Sequence, residues 1–290
     1  MPDRILKPEI ETKDDLPSGS PEEFLQALER VDPYPAVGTE VSPVPAESHV
    51  VVHNDPKSAG ADRFRLAQIR LKNIQATRKL KSLLITSPFP KDGKSTVALN
   101  LAAVLSENGK VAVLLLEVDV RRPTLVKRLG LKPWPGLTEC YKHGTDPMLA
   151  IRRIEPLGFY LLPAGDSAEE GASFLQSNFT LQLVKGLSSG SFSWIVIDSP
   201  PTTPVADVLA LKAQADGSLL VARAGKTPRE AIAESVRNLG HDHIIGIILN
   251  GVEGLNRTYY KYYGYGRSEA RAKPTKRNTI EGLELNEHAR

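Results

Sequence analysis

The chain is short of cysteine, of long apolar runs and of net charge, and each shortage excludes something. Cys140 is the single cysteine among 290 residues, so no intrachain disulfide can form and a reducing compartment is expected. No apolar run nears the ~20 residues needed to cross a bilayer. The longest, 111–116 and 244–249, have the length of buried strands. The opening Met1-Pro-Asp-Arg-Ile-Leu-Lys-Pro-Glu9 has no apolar core of the secretory kind. A cytoplasmic location is therefore expected, with any approach to the inner face of a membrane made through a partner. Lys and Arg number 37 against 34 Asp and Glu, a formal charge of +3 that gives no reason to expect a nucleic-acid partner. What remains is ordinary: 41% hydrophobic and 24% charged residues suit a soluble globular protein with one large α/β domain and extensions.

Proline divides the chain. Residues 1–57 hold nine prolines and few apolar clusters, which predicts a mostly disordered segment. One island within it, Ser20-Pro-Glu-Glu-Phe-Leu-Gln-Ala-Leu-Glu-Arg30, predicts a short helix near 21–30, with a capping serine and proline at the first helical position. Residues 58–255 read as the domain. Helices are expected at 63–74, 94–106, 124–129, 206–213 and 229–239, with helical pieces near 172–187. Strands are expected at 83–86, 111–117, 159–162, 194–197, 218–221 and 244–249. Short, nearly continuous apolar strands alternating with helices predict a doubly wound, mostly parallel sheet covered on both faces. Residues 256–290 read as a tyrosine cluster followed by a flexible charged tail.

The stretch Leu84-Ile-Thr-Ser-Pro-Phe-Pro-Lys-Asp-Gly-Lys-Ser-Thr96 carries a buried strand into a loop and then a helix. A phosphate-binding P-loop needs that context: loop and helix-end N–H groups make an anion site, and a lysine adds charge for the β- and γ-phosphates. Lys91, Asp92, Gly93, Lys94, Ser95 and Thr96 are thus candidate nucleotide-binding residues, with the Ser95 hydroxyl at a Mg²⁺ position. Pro88 stands where the strict GxxxxGK[ST] pattern has its first glycine. A second Gly225-Lys226-Thr227 lies in a polar loop and reads as a solvated turn.

Two strands end in acid. In Glu117-Val-Asp119-Val-Arg121-Arg122-Pro123 the carboxylates stand two residues apart, so strand alternation turns both to one side. Ligands of open α/β sheets bind at the carboxyl ends of strands, where such a pair can bind a metal and accept a proton from a nucleophile. Asp198 ends the strand in Phe192-Ser-Trp-Ile-Val-Ile-Asp198-Ser-Pro-Pro201, the Walker B arrangement. Lys94, Glu117, Asp119 and Asp198 are therefore the catalytic candidates, and Ser95, Asp119 and Asp198 the metal candidates, for a site using ATP and Mg²⁺.

Five of the 8 tyrosines crowd into Tyr259-Tyr260-Lys-Tyr262-Tyr263-Gly-Tyr265, a composition that suits neither a strand nor a helix. With Pro90-Lys-Asp-Gly-Lys-Ser-Thr96, Glu117 to Pro123, Ile197 to Pro201 and Ile248-Leu-Asn-Gly-Val252, the sequence resembles the bacterial tyrosine kinases of capsule and exopolysaccharide assembly over roughly 50–266. The resemblance implies a deviant-Walker P-loop fold and autophosphorylation on Tyr259, Tyr260, Tyr262, Tyr263 and Tyr265. It also implies a ring-like homo-oligomer through the 61–74 helix and a membrane-anchored activator of the chain-length-regulator type. Carried onto this chain, Lys94, Ser95 and Thr96 hold phosphates and Mg²⁺, Asp119 and Asp198 complete the metal site, Glu117 assists deprotonation and Asn250 touches the adenine.

Three positions depart from that family's pattern. Glu117 replaces an aspartate, Lys91 a loop glycine, and Gln68 the second arginine in Asp62-Arg-Phe-Arg65-Leu-Ala-Gln68. Two other readings stay open: a MinD- or ParA-like positioning ATPase, which Phe89 in place of a signature lysine opposes, and an ATP-binding scaffold without turnover.

Overall fold

A computed structural model describes residues 37–144, 147–166, 177–203 and 206–253. The chain divides between Val252 and Glu253, and all described residues but one belong to the first unit. The expected helix near 21–30, residues 172–176 and the tyrosine cluster lie outside the described residues.

An eight-stranded sheet forms the centre, in the order β1-β4-β5-β3-β6-β2-β7-β8. Its strands are β1 (Gly38–Val41), β2 (Ser82–Thr86), β3 (Val113–Glu117), β4 (Arg152–Glu155), β5 (Phe159–Leu162), β6 (Trp194–Asp198), β7 (Gly217–Arg223) and β8 (Ile244–Asn250). From β5 to β8 every neighbouring pair is parallel. β4 alone runs antiparallel to its neighbour β5, and β1 follows β4 in parallel.

The strands are apolar throughout because both faces are covered. Along β3 and β6, Leu114, Leu116, Ile195 and Ile197 join one core cluster, while Val113, Leu115, Trp194 and Val196 join the other. The second cluster is closed by α3 (Lys94–Ser106), which buries Val97, Leu101 and Leu105, and by Leu71 of α2 (Ala59–Thr77). On the opposite face lie Leu183 and Leu187 of the helix Asn178–Ser189 and Val208 of the helix Ala206–Lys212. The doubly wound, mostly parallel P-loop architecture is the one expected.

Before β2 the structure differs from the sequence reading in two features. Residues 37–57, expected as disordered, carry β1 and α1 (Val51–Asn54) and bury Val44 and Val50. Proline richness misled there, because the prolines shape turns packed on the domain: Pro43 and Pro45 lie against Gly130. The helix α2 also starts earlier than 63, since the Ser58 hydroxyl accepts a hydrogen bond from the Ala61 amide and caps it at 3.1 Å.

Candidate functional site

The loop between β2 and α3 is held by its neighbours. Gly93 adopts φ 104° at the helix start, and a side chain there would collide with Asn250. Lys91 also takes a positive φ of 70°, a conformation that a glycine would adopt without steric cost. Inside the loop the Asp92 carboxylate accepts from the Phe89 amide at 3.0 Å and from the Thr227 hydroxyl at 2.8 Å. Asn250, from the end of β8, donates its side-chain amide to the Asp92 carbonyl at 3.0 Å. Arg223 donates to the Lys91 carbonyl at 3.1 Å. Asn250 thus braces the backbone of the loop rather than standing free. The turn at 225–227 supplies Thr227 as a further brace, a role its sequence did not show.

Lys94, Asp119 and Asp198 converge. Lys94 Nζ lies 2.7 Å from Asp119 Oδ2, 3.8 Å from Asp198 Oδ1 and 3.4 Å from the Ser95 hydroxyl. All four residues are buried. Burial disfavours the Lys94 charge, but Asp198 and Asp119 outweigh it and hold the ammonium above its ordinary pKa. Burial likewise pushes the Asp198 carboxyl up, against the pull of Lys94. Neither Asp198 oxygen accepts a well-formed hydrogen bond, and an unpartnered buried carboxylate is costly unless a cation completes it. Among the described residues no three His, Cys, Asp or Glu side chains gather into a ligand set. The donors present, two carboxylates and a hydroxyl, fit Mg²⁺, which takes one or two carboxylates and fills its sphere with water and phosphate oxygens.

Glu117 has a different surrounding. Its Oε1 accepts from the Thr124 and Leu125 amides at 2.6 and 2.9 Å, and its Oε2 from the Ala164 amide at 3.3 Å. The first two amides begin the short helix α4 (Leu125–Arg128). Burial raises the Glu117 carboxyl to about 7, although these amides pull the other way. The carboxylate therefore ties the ends of β3 and β5 to α4, and makes no ion pair with Lys94.

Besides Thr227, sequence reasoning missed Arg128. At the other end of α4, Arg128 donates from Nη2 to the Thr96 hydroxyl at 2.7 Å, and Asp198 and Glu117 both act on its charge. Only a fold that returns α4 to the P-loop helix reveals this; no spacing in the sequence signals it. On α2, Arg65 pairs with Asp62 at 2.6 Å, while Gln68 and Lys72 both bond Glu107 of the same chain.

No family model matches the chain. It is 31% identical over 220 residues to the tyrosine-protein kinase YwqD of Bacillus subtilis, covering 75% of this chain and 92% of that protein. It is 28% identical over 232 residues to the succinoglycan biosynthesis transport protein ExoP of Rhizobium meliloti, covering 73% of this chain and 29% of that longer protein. Among solved structures, the BceF tyrosine kinase domain superposes with a TM-score of 0.63 at 26% identity, covering 78% of this chain and 97% of that domain. A sheet of this order, a lysine facing two acid-tipped strands and these relatives agree: the chain belongs to the bacterial tyrosine kinase family of capsule and exopolysaccharide biosynthesis.

Proposed function

We propose that the chain is an ATP-dependent protein-tyrosine kinase that phosphorylates its own cluster at Tyr259, Tyr260, Tyr262, Tyr263 and Tyr265, and so regulates exopolysaccharide assembly. The observation that carries this is Asp198, a buried carboxylate 3.8 Å from the P-loop lysine whose oxygens accept no well-formed hydrogen bond. A carboxylate so placed suits the metal of a nucleoside triphosphate. Ser95 and Asp198 would hold Mg²⁺, with Asp119 completing its shell, and the ion would neutralise charge on the β- and γ-phosphates. Lys94 can exchange Asp119 for phosphate oxygens. The Lys91 to Thr96 loop, braced by Asn250, would present its N–H groups to them.

In the reaction the tyrosine oxygen forms a bond to the γ-phosphorus. The bond from that phosphorus to the β,γ-bridging oxygen breaks, and ADP leaves with its electron pair. The phenolic proton passes to a carboxylate. A free phenol has a pKa of ~10, so an acceptor poised near neutrality helps. Glu117, raised to about 7, suits that task. Three of a carboxylate's roughly four acceptor positions are taken by amides, which leaves one for a phenol.

A ring through the 61–74 helix and a membrane-anchored activator remain part of this reading. ExoP, matched over 29% of its length, carries much sequence beyond the shared unit. No described helix here is long and apolar enough to cross a membrane. Purified protein incubated with γ-labelled ATP and Mg²⁺ tests the proposal. Label is expected on residues 259–265 and not in a Lys94→Met variant. Full-length protein that leaves those tyrosines bare, even with an activator segment added, would refute it.

A further inference from the structure

The helix α2 turns apolar and basic side chains outward together. Arg63, Leu66, Ile69, Arg70 and Asn73 are all exposed, and steps of three and four residues keep them on one side of the helix. Leu66 and Ile69 stand 37% and 55% exposed at its centre. Arg63 and Arg70 border them, seven residues or about 10 Å apart along the axis. Neither arginine forms an ion pair among the described residues. Asp62 is the single acid of α2, and Arg65 already holds it. The outward face therefore suits an acidic partner with an apolar stripe of its own.

We propose that residues 20–32 of the same chain dock on this face of α2 and shield it from a second copy. The docking stands apart from the kinase reading, whereas the shielding rests on assembly through the 61–74 helix. Residues 20–32 lie outside the described residues, but their sequence complements the described face. As the helix expected near 21–30 they put Phe24, Leu25 and Leu28 on one side, bordered by Glu22 and Glu29. These acids too are seven residues apart. Antiparallel packing brings Glu22 to Arg70 and Glu29 to Arg63, with the apolar side chains between them. Overall charge agrees: residues 1–36 hold nine acids and four Lys or Arg, a charge of −5, so the other 254 residues carry +8. Reach allows it as well. Val41 of β1 is the register partner of Glu155, and Pro156 lines a cavity of about 460 Å³ together with Arg65. The segment thus joins the fold near α2, and the 13 residues from Phe24 to Val37 span up to about 40 Å.

The test uses the full chain carrying Leu25→Cys and Ile69→Cys, oxidised mildly at two protein concentrations; the native Cys140 is buried. A 25–69 disulfide within one chain is expected, its yield independent of concentration. The yield should exceed that of a control pairing Leu25→Cys with Leu249→Cys, another exposed site. Equal yields, or a disulfide formed only between chains, overturn the proposal. Adding Arg63→Glu and Arg70→Glu should lower the yield roughly 5-fold, the worth of two exposed ion pairs, and adding Glu22→Arg and Glu29→Arg as well should restore it. A yield that ignores these charges overturns the packing. Binding of the full chain to phosphatidylserine vesicles through Arg63 and Arg70, with no 25–69 disulfide, would give the face to a membrane instead. Sedimentation of the Glu22→Arg, Glu29→Arg chain should show assembly at lower concentration than the unsubstituted chain. The disulfide with unchanged sedimentation spares the docking and refutes the shielding.

Discussion

Glu117 and Asp198 are partners in the β3–β6 register, yet the Glu117 carboxylate accepts three bonds from backbone amides while the Asp198 carboxylate accepts none from the backbone and lies 3.8 Å from Lys94 Nζ. Neighbouring acids at one sheet edge are therefore held differently, one by backbone amides and one beside the P-loop lysine. Removing them should have unequal effects on stability. Glu117→Ala strands three amides, and at 1–3 kcal/mol for each lost partner the net cost should be about 3 kcal/mol. Asp198→Asn keeps the side chain's shape, and Lys94 retains its closer partner Asp119 at 2.7 Å, so stability should change by less than about 1 kcal/mol while the Mg²⁺ dependence of nucleotide binding is abolished. Urea denaturation read beside nucleotide titrations with and without Mg²⁺ checks both.

Lys94 is the single cation seen to pair with both Asp119 and Asp198 among the described residues. Lys94→Met should cost about 3 kcal/mol or more, because breaking a buried pair leaves uncompensated charge. It should also remove measurable ATP affinity. Loss of affinity without loss of stability would show that the pairing contributes little to the fold. Thermal unfolding and calorimetric titration give the two answers separately.

How much of this was legible in the sequence depends on how local each cause is. The parallel strands from β5 to β8 were readable because burial on both faces demands unbroken apolar runs such as Trp-Ile-Val-Ile. β4 was not, since Arg152-Arg-Ile-Glu155 buries only Ile154 and gains its place from β5 and β1. Alternation turned Glu117 and Asp119 to one side on paper. In the fold β3 ends at Glu117, and the Asp119 carbonyl already closes a turn onto the Arg122 amide at 3.1 Å, so the period of two stops short of Asp119. Lys94, Asp119 and Asp198 were legible because strand ends and the P-loop share one edge. Arg128 was hidden because its partner lies 32 residues away on another helix.

Arg128 should govern nucleotide affinity through Thr96. By donating to the Thr96 hydroxyl it occupies a lone pair and leaves the hydroxyl proton free to face a phosphate. Arg128→Gln should weaken ATP and ADP alike by about 1–2 kcal/mol, or roughly 5–30-fold. Arg128→Lys keeps the charge without the planar fork and should recover part of that loss. Equal affinities across the three proteins would leave Arg128 a surface charge only. Isothermal titration at two salt concentrations separates the bond from the charge.

Asp216 offers a test of stability against pH. Burial alone would raise its pKa, but bonds from the Ser82 and Lys81 amides and the Ser82 hydroxyl outweigh it and hold the carboxyl low. A carboxyl depressed in the folded state stabilises fully above its unfolded pKa of ~3.9, and that share is lost as pH falls through the folded value. Asp216→Ala should therefore cost about 2 kcal/mol at pH 7. The gap to the unsubstituted chain should narrow as pH falls below 4. A constant gap from pH 7 to pH 3 would assign the cost to packing rather than charge.

Residues 37–57 should prove part of the nucleotide-binding unit, although their prolines suggested a tail. Val44 and Val50 are buried against the α3 side of the core. The Ser42 hydroxyl donates to the Leu129 carbonyl at 2.6 Å, and Asn100 of α3 donates to the His49 carbonyl at 2.8 Å. A chain starting at Ser58 loses both valines, worth about 1.5–3 kcal/mol each, and leaves Asn100 without that partner. Compared with a chain starting at Val37, it should unfold at least about 4 kcal/mol more easily. The effect should reach the ligand as well. Leu129 adjoins Arg128, so freeing its carbonyl loosens the end of α4 that holds Thr96. Weaker ATP binding by the shorter chain, measured at a temperature where both remain folded, would show that coupling. Equal affinity would confine these residues to stability.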